Sequence, residues 1–93
     1  MPTASAFPEL SQFVQGYLNQ DMDLWADDVG EAIAVYAREA GTAERERLLG
    51  EIARFPVEGR EALFESLYGF DFSPAAEGMS VDAFFERVRR ELT

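Results

Sequence analysis

The sequence predicts an all-α fold: one small domain over residues 1–93, built from about five helices. Three observations carry that expectation. Apolar residues recur at helical spacing in five separate stretches, and no run alternates with period two for long enough to compel a strand. Residues that start or stop helices (Pro8, Asp27 or Asp28, Gly41, Thr42, Pro56, Gly69 and Ser80) punctuate those stretches. The chain is 47% hydrophobic and 13% aromatic, too apolar to remain disordered in spite of a net charge of −10.

Residues 1–6 are expected to be flexible. The first helix is read at about residues 8–19, with Pro8 tolerated in the first turn and Phe7, Leu10, Phe13, Val14, Tyr17 and Leu18 on one stripe. An acidic connector, Asp21 to Asp28, follows. The second helix is read at about 28–40, capped by Asp27 or Asp28, with Ile33, Tyr36, Ala37 and Ala40 inward and Gly41 as a left-handed terminator. Thr42 is expected to cap the third helix almost at once, and so short a join predicts an antiparallel hairpin.

The third helix, about 43–55, directs Leu48, Leu49, Ile52 and Phe55 at the core and stops because Pro56 disfavours helical geometry at the residue before it. Gly50 inside it costs about 1 kcal/mol relative to Ala. The fourth helix, about 58–68, presents Leu63, Phe64, Leu67 and Tyr68 and ends at Gly69. Phe70 and Phe72, in the loop that follows, are expected to fold back as a lid. Ser80 caps the fifth helix, about 81–92, where Val81, Phe84, Phe85, Val88 and Leu92 face inward and Glu86 and Arg90 form an i,i+4 pair. No repeat, linker or low-complexity segment interrupts this series, so the helices should form an orthogonal or bundle-like domain.

Composition narrows the chemistry. A chain of 93 residues buries only about 60 to 65% of the surface its unfolded form exposes, which makes stability marginal. Cysteine and histidine are absent and all eight basic residues are arginine, so catalysis would fall to carboxylates, tyrosines, arginines and hydroxyls. No pair of carboxylates is patterned for a cleft with separated pKa values, so the expectation is a protein that is not an enzyme and takes no cofactor. No stretch approaches about 18 consecutive apolar residues, and Met1 to Ala6 lack a basic signal-peptide start. A cytoplasmic protein without membrane attachment is expected. The first basic residue is Arg38, so residues 1–37 carry only the acids Glu9, Asp21, Asp23, Asp27, Asp28 and Glu31. Such a field repels phosphates and attracts basic surfaces, which argues against direct nucleic-acid binding.

The opening Phe7-Pro8-x-Leu10-x-x-Phe13-x-x-Gly16-Tyr17-Leu18-x-Gln20-Asp21 is similar to that of the bacterial immunity proteins of contact-dependent growth inhibition systems. The resemblance continues through Leu67-Tyr68-Gly69-Phe70, Pro74, Gly78, Ser80 and Phe84-Phe85, and so spans nearly the whole chain. Met22 stands where an aromatic is common in similar sequences, and Phe84-Phe85 where they often have Trp-Leu; both changes keep bulk and apolarity. The resemblance implies a small helical protein that binds and silences a toxin domain in the cytoplasm. That toxin would be the C-terminal region of a large secreted effector, held in a 1:1 complex by a monomer. Such toxins are commonly nucleases, whose phosphate-holding regions are basic, and an acidic immunity protein is their electrostatic complement.

Two acidic segments are candidate partner surfaces. Asp21, Asp23 and Asp27 occupy relative positions 1, 3 and 7 of a helix-flanked calcium loop, but Trp25, Ala26 and Ala32 stand where that loop needs an oxygen ligand, a Gly and a Glu, so no metal is expected. The segment reads instead as a recognition loop in which Asp21, Asp23, Asp27 and Asp28 surround the aromatic anchor Trp25, or as a solvated turn that caps the next helix. The two readings are compatible. Glu58, Glu61 and Glu65 form a stripe at i, i+3 and i+7, a spacing at which like charges cost a few tenths of a kcal/mol per pair. It is either a second partner surface or a solvated face. Glu65-Ser66-Leu67 resembles the Asp-Ser-Leu of acyl carrier proteins, but Ser66 falls late in a helix instead of at an exposed start. The favoured reading is an immunity protein, with an acidic adaptor for another basic partner and an acyl carrier as the alternatives.

Overall fold

Five α-helices form where the apolar stripes predict them. The computed structural model describes residues 3–18 and 28–93. Its helices are α1 (Pro8–Tyr17), α2 (Val29–Glu39), α3 (Thr42–Arg54), α4 (Arg60–Tyr68) and α5 (Val81–Leu92), with short 3₁₀ turns at Ala4–Ala6 and Pro74–Glu77. Among the described residues there is no strand. Helices α1 and α5 are the hubs: α1 packs on α2, α3 and α4, and α5 packs on the same three and on the second 3₁₀ turn.

The core is a continuous aromatic chain filled in by aliphatic residues. Phe7 meets Phe55 at 5.0 Å between centroids, Phe55 meets Phe85 at 5.4 Å, Phe64 meets Phe84 at 5.8 Å, and Phe13 meets Tyr36 at 4.8 Å. Leu10, Val14, Ile33, Leu48, Ile52 and Val88 close the gaps between these rings and are fully buried. Each such side chain contributes about 1.5 to 3 kcal/mol by leaving water. The radius of gyration, 12.1 Å, matches the roughly 12 Å of a fully collapsed domain this long, so no helix stands apart.

Several local expectations are corrected by the backbone. Gly41 is extended (φ −74, ψ 167) and is itself the N-cap of α3, so it is not a left-handed terminator and Thr42 is the first helical residue. Ala40 is extended too, at ψ 141. Two extended residues in succession turn the chain through a corner, and α2 and α3 pack chiefly on α1 and α5 instead of forming the expected hairpin. Gly59 adopts φ 70, a left-handed conformation that side chains disfavour, so α4 begins at Arg60 and Glu58 lies in the preceding turn. Glu86 pairs with Arg89 at 2.9 Å, not with Arg90.

The expected lid forms only in part. The carbonyl of Tyr68 accepts hydrogen bonds from the amides of both Asp71 and Phe72, each at 2.9 Å, so the chain wraps tightly around the end of α4. Phe72 returns to the core and meets Phe84 at 5.1 Å. Phe70, at the outside of the wrap, is 86% exposed.

Candidate functional site

The fold uses some of its acids as hydrogen-bond acceptors and exposes others. Helix α1 begins with Phe7 at its N-cap, a residue with no side-chain acceptor for the first amides. Glu51 of α3 supplies the acceptor from across the domain: its carboxylate takes the Glu9 amide at 3.1 Å and the Leu10 amide at 2.8 Å. With 3% of its surface exposed, Glu51 is the buried charged residue of the described structure. Glu9 pairs with Arg47 at 3.1 Å, Glu39 accepts the Tyr17 hydroxyl at 2.7 Å, and Glu44 accepts the Gly41 amide at 3.4 Å.

The predicted partner residues divide in three. Asp21, Asp23, Trp25 and Asp27 lie outside the described residues. Asp28 is the N-cap of α2, its carboxylate accepting the Glu31 amide at 2.8 Å. Of the second stripe, Glu61 accepts the Val81 amide at 2.8 Å and so caps α5, whereas Glu58 and Glu65 are exposed. Asp28 and Glu61 both lie beside α5. An added side chain at Gly30 would collide with the Arg87 guanidinium and come within 3.3 Å of an Asp28 carboxylate oxygen, which puts Asp28 beside the middle of α5. Glu61 sits at the start of that helix, on the order of 9 Å away along its axis.

The basic residue nearest the second stripe faces inward. Arg60 donates to the carbonyls of Phe55 and Pro56, pairs with Asp82 at 2.7 Å and lies over the Phe85 ring at 5.3 Å. It therefore joins the end of α3 to the start of α5 and leaves the exposed face of α4 acidic. The large hydrophobic residues exposed in the described structure, Val57 at 79% and Phe70 at 86%, bracket that same helix. Sequence reasoning missed Val57, which follows Pro56 in the turn before α4, and expected Phe70 to fold back with Phe72 as a lid.

Three tyrosines hold perturbed protons. The Glu39 carboxylate beside it, then burial and the charges of Glu39 and Glu44, push Tyr17 up to about 12. Burial, then the charges of Glu9 and Glu44, the Tyr17 hydroxyl and Glu51, push Tyr36 up to about 12. Its buried hydroxyl has no hydrogen-bond partner among the described residues. Tyr68 is raised by burial, against the opposing effect of the Ser11 hydroxyl 2.8 Å away. All three therefore stay neutral at physiological pH, where none serves as a base. An open groove of about 480 Å³ between α1 and α3 is lined by Glu46, Arg47, Gly50, Glu51 and Arg54, but Glu51 is turned to the α1 amides. No helix among the described residues is long and apolar enough to cross a membrane.

These features, exposed acids around apolar anchors and tyrosines held protonated, suit binding better than catalysis. The model of the CdiI immunity protein family matches residues 6–92. No curated protein and no solved structure matches the chain.

Proposed function

The chain belongs to the CdiI immunity protein family, and we propose that it neutralises its toxin by laying an acidic surface on a basic, phosphate-handling region of the toxin domain. Membership makes it an immunity protein for a contact-dependent growth inhibition toxin. The family match over residues 6–92 is the observation that carries this reading; the distribution of charge supports the choice of a basic partner. The toxin domain is a nuclease, the C-terminal region of a large secreted effector, and it is met in the cytoplasm by one copy of this chain. Inhibition comes from occupying the field that would otherwise hold nucleic acid, without catalysis or a cofactor.

Two segments supply the acids: Asp21, Asp23, Asp27 and Asp28, with Trp25 among them in the sequence, and Glu58, Glu61 and Glu65 of α4 and the turn before it. Asp23→Lys with Asp27→Lys is expected to slow association and flatten its salt dependence, whereas Trp25→Ala acts mainly on dissociation, because an anchor contributes after docking. The direct test is to produce the chain together with the toxin domain encoded just upstream of it. A 1:1 complex in which nucleic-acid cleavage is abolished is the expected result; a toxin that remains active in excess immunity protein overturns the proposal.

A further inference from the structure

We propose that the outward side of α4 and the turns at its two ends form a docking surface for arginine-bearing patches of the toxin domain, with Phe70 as the anchor and Glu58 and Glu65 as the charge partners. The inference rests on the immunity reading and names where on the chain it is carried out. Four observations support it. Phe70 and Val57 are the large hydrophobic residues that the described structure leaves in water, and they sit at opposite ends of one short helix. Each has an exposed acid beside it: Glu58 follows Val57, and the Glu65 side chain folds over Gly69, where an added Cβ would stand 2.6 Å from its carboxylate. Residues 55–86 hold seven acids and a single arginine, and that arginine, Arg60, is turned inward to Asp82 and the α3 carbonyls. The wrap at the end of α4 buries Phe72 and holds Phe70 outward, so its exposure follows from the backbone hydrogen bonds of Asp71 and Phe72.

This combination selects arginine over lysine and over a purely apolar partner. A guanidinium can lie flat on an aromatic ring while its edge N–H groups pair with a carboxylate, and Glu65 and Phe70 offer both within one turn of chain. A lysine ammonium makes the charge contact but loses the stacking geometry. An apolar partner would have to strip water from Glu58 and Glu65 without giving either a donor.

Phe70→Ala and Phe70→Leu, together with Glu65→Gln, test the surface in the purified chain against the toxin domain encoded upstream. Kd and both rate constants would be measured by surface plasmon resonance at two salt concentrations. Because these positions are exposed, circular dichroism and melting temperature should match the parent. The expected result is a rise in Kd of tenfold or more for Phe70→Ala, arising mainly in dissociation. Phe70→Leu, which keeps bulk without the ring, should recover only part of it. Glu65→Gln should lose affinity chiefly at low salt. If the parent binds toxin and all three variants bind within twofold of it, the docking surface is wrong and the immunity reading stands. If the parent itself fails to bind or neutralise the toxin domain, the immunity reading falls and takes this surface with it.

Discussion

Residues 38–54 carry four acids and four arginines, whereas residues 55–86 carry seven acids and one arginine. In the first stretch three of the four acids bond within the fold: Glu51 is buried on the α1 amides, while the exposed Glu39 and Glu44 hold the Tyr17 hydroxyl and the Gly41 amide. In the second, Glu61 accepts the first amide of α5 and Asp82 holds Arg60, while the carboxylates of Glu58 and Glu65 make no hydrogen bond or ion pair among the described residues. A net charge of −10 is therefore not one property spread over a surface. One edge uses its carboxylates to replace missing helix caps, and the other leaves them to the solvent and to a partner.

The largest expected effects on stability lie at the first edge and in the core behind it. Glu51→Ala removes two hydrogen bonds to a charged acceptor and leaves the Leu10 amide buried and the Glu9 amide part-buried without it, a loss of about 3 kcal/mol in a domain of marginal stability. Phe13→Ala, which empties the ring contacts to Tyr36 and Phe84, should cost a similar or larger amount, about 3 to 5 kcal/mol. Urea midpoints would check both. If Glu51→Ala left the midpoint unchanged, the carboxylate would be dispensable to α1 and the contrast between the two edges would fail.

Alkaline pH should attack the same edge. With no His, Cys or Lys in the chain, the side chains that titrate between neutrality and pH 12 are the tyrosines. Tyr17 and Tyr36 are raised to about 12 in the folded protein from 10, so the folded state holds their protons more tightly than the unfolded state. The associated stability is fully present below pH 10 and lost as pH rises through 12, with buried Tyr36 accounting for on the order of 2 kcal/mol. Tyr36→Phe should flatten that decline. At pH 7 it should raise stability by about 1 kcal/mol, since it removes a buried hydroxyl with no partner among the described residues. A variant less stable than the parent at pH 7 would mean that the hydroxyl is satisfied in solution.

Much of this was legible in the sequence, and what was not has a physical cause. Helical periodicity locates all five helices and nearly every core residue, because burial of an apolar stripe is a local pattern. Glu51 was the missed signal. It stands between Leu48 and Ile52 on the inward stripe of α3, and Phe7-Pro8 opens α1 without a capping side chain, but only tertiary structure brings that acceptor to those donors. Spacing alone makes Glu58, Glu61 and Glu65 one stripe, which requires a helix that begins at about 58. Gly59 breaks it, and the contact between Glu61 and Val81 spans 20 residues. Likewise the apolarity of Phe70 and Phe72 was visible, but which of them returned to the core was decided by the hydrogen bonds around Tyr68.

Glu61 marks the boundary between the two uses of charge, since it belongs by position to the exposed stripe and by contact to the fold. Ser80 remains the N-cap of α5, so Glu61→Ala should cost about 1 kcal/mol, the net loss of the one hydrogen bond to the Val81 amide, seen as a lower urea midpoint. Its effect on toxin binding should be smaller than that of Glu65→Gln, because the carboxylate is already committed to Val81.

The smallest stability effect gives the sharpest test of whether the division matters for function. Glu58→Gln with Glu65→Gln should shift stability by no more than about 0.5 kcal/mol, since both residues are exposed and neither carboxylate makes a hydrogen bond or ion pair among the described residues. Glu44→Gln with Glu46→Gln changes the net charge by the same two units on exposed positions of α3, and serves as the matched control. If a partner is steered by overall charge alone, both pairs will slow association equally. If the α4 face is where the partner lands, charges within about 10 Å of contact dominate at 0.1 M salt, and only the α4 pair will slow association and reduce its salt dependence. Equal slowing by the two pairs, measured by stopped-flow mixing with the toxin domain, would dissolve the contrast between the edges and leave net charge as the sole determinant of encounter.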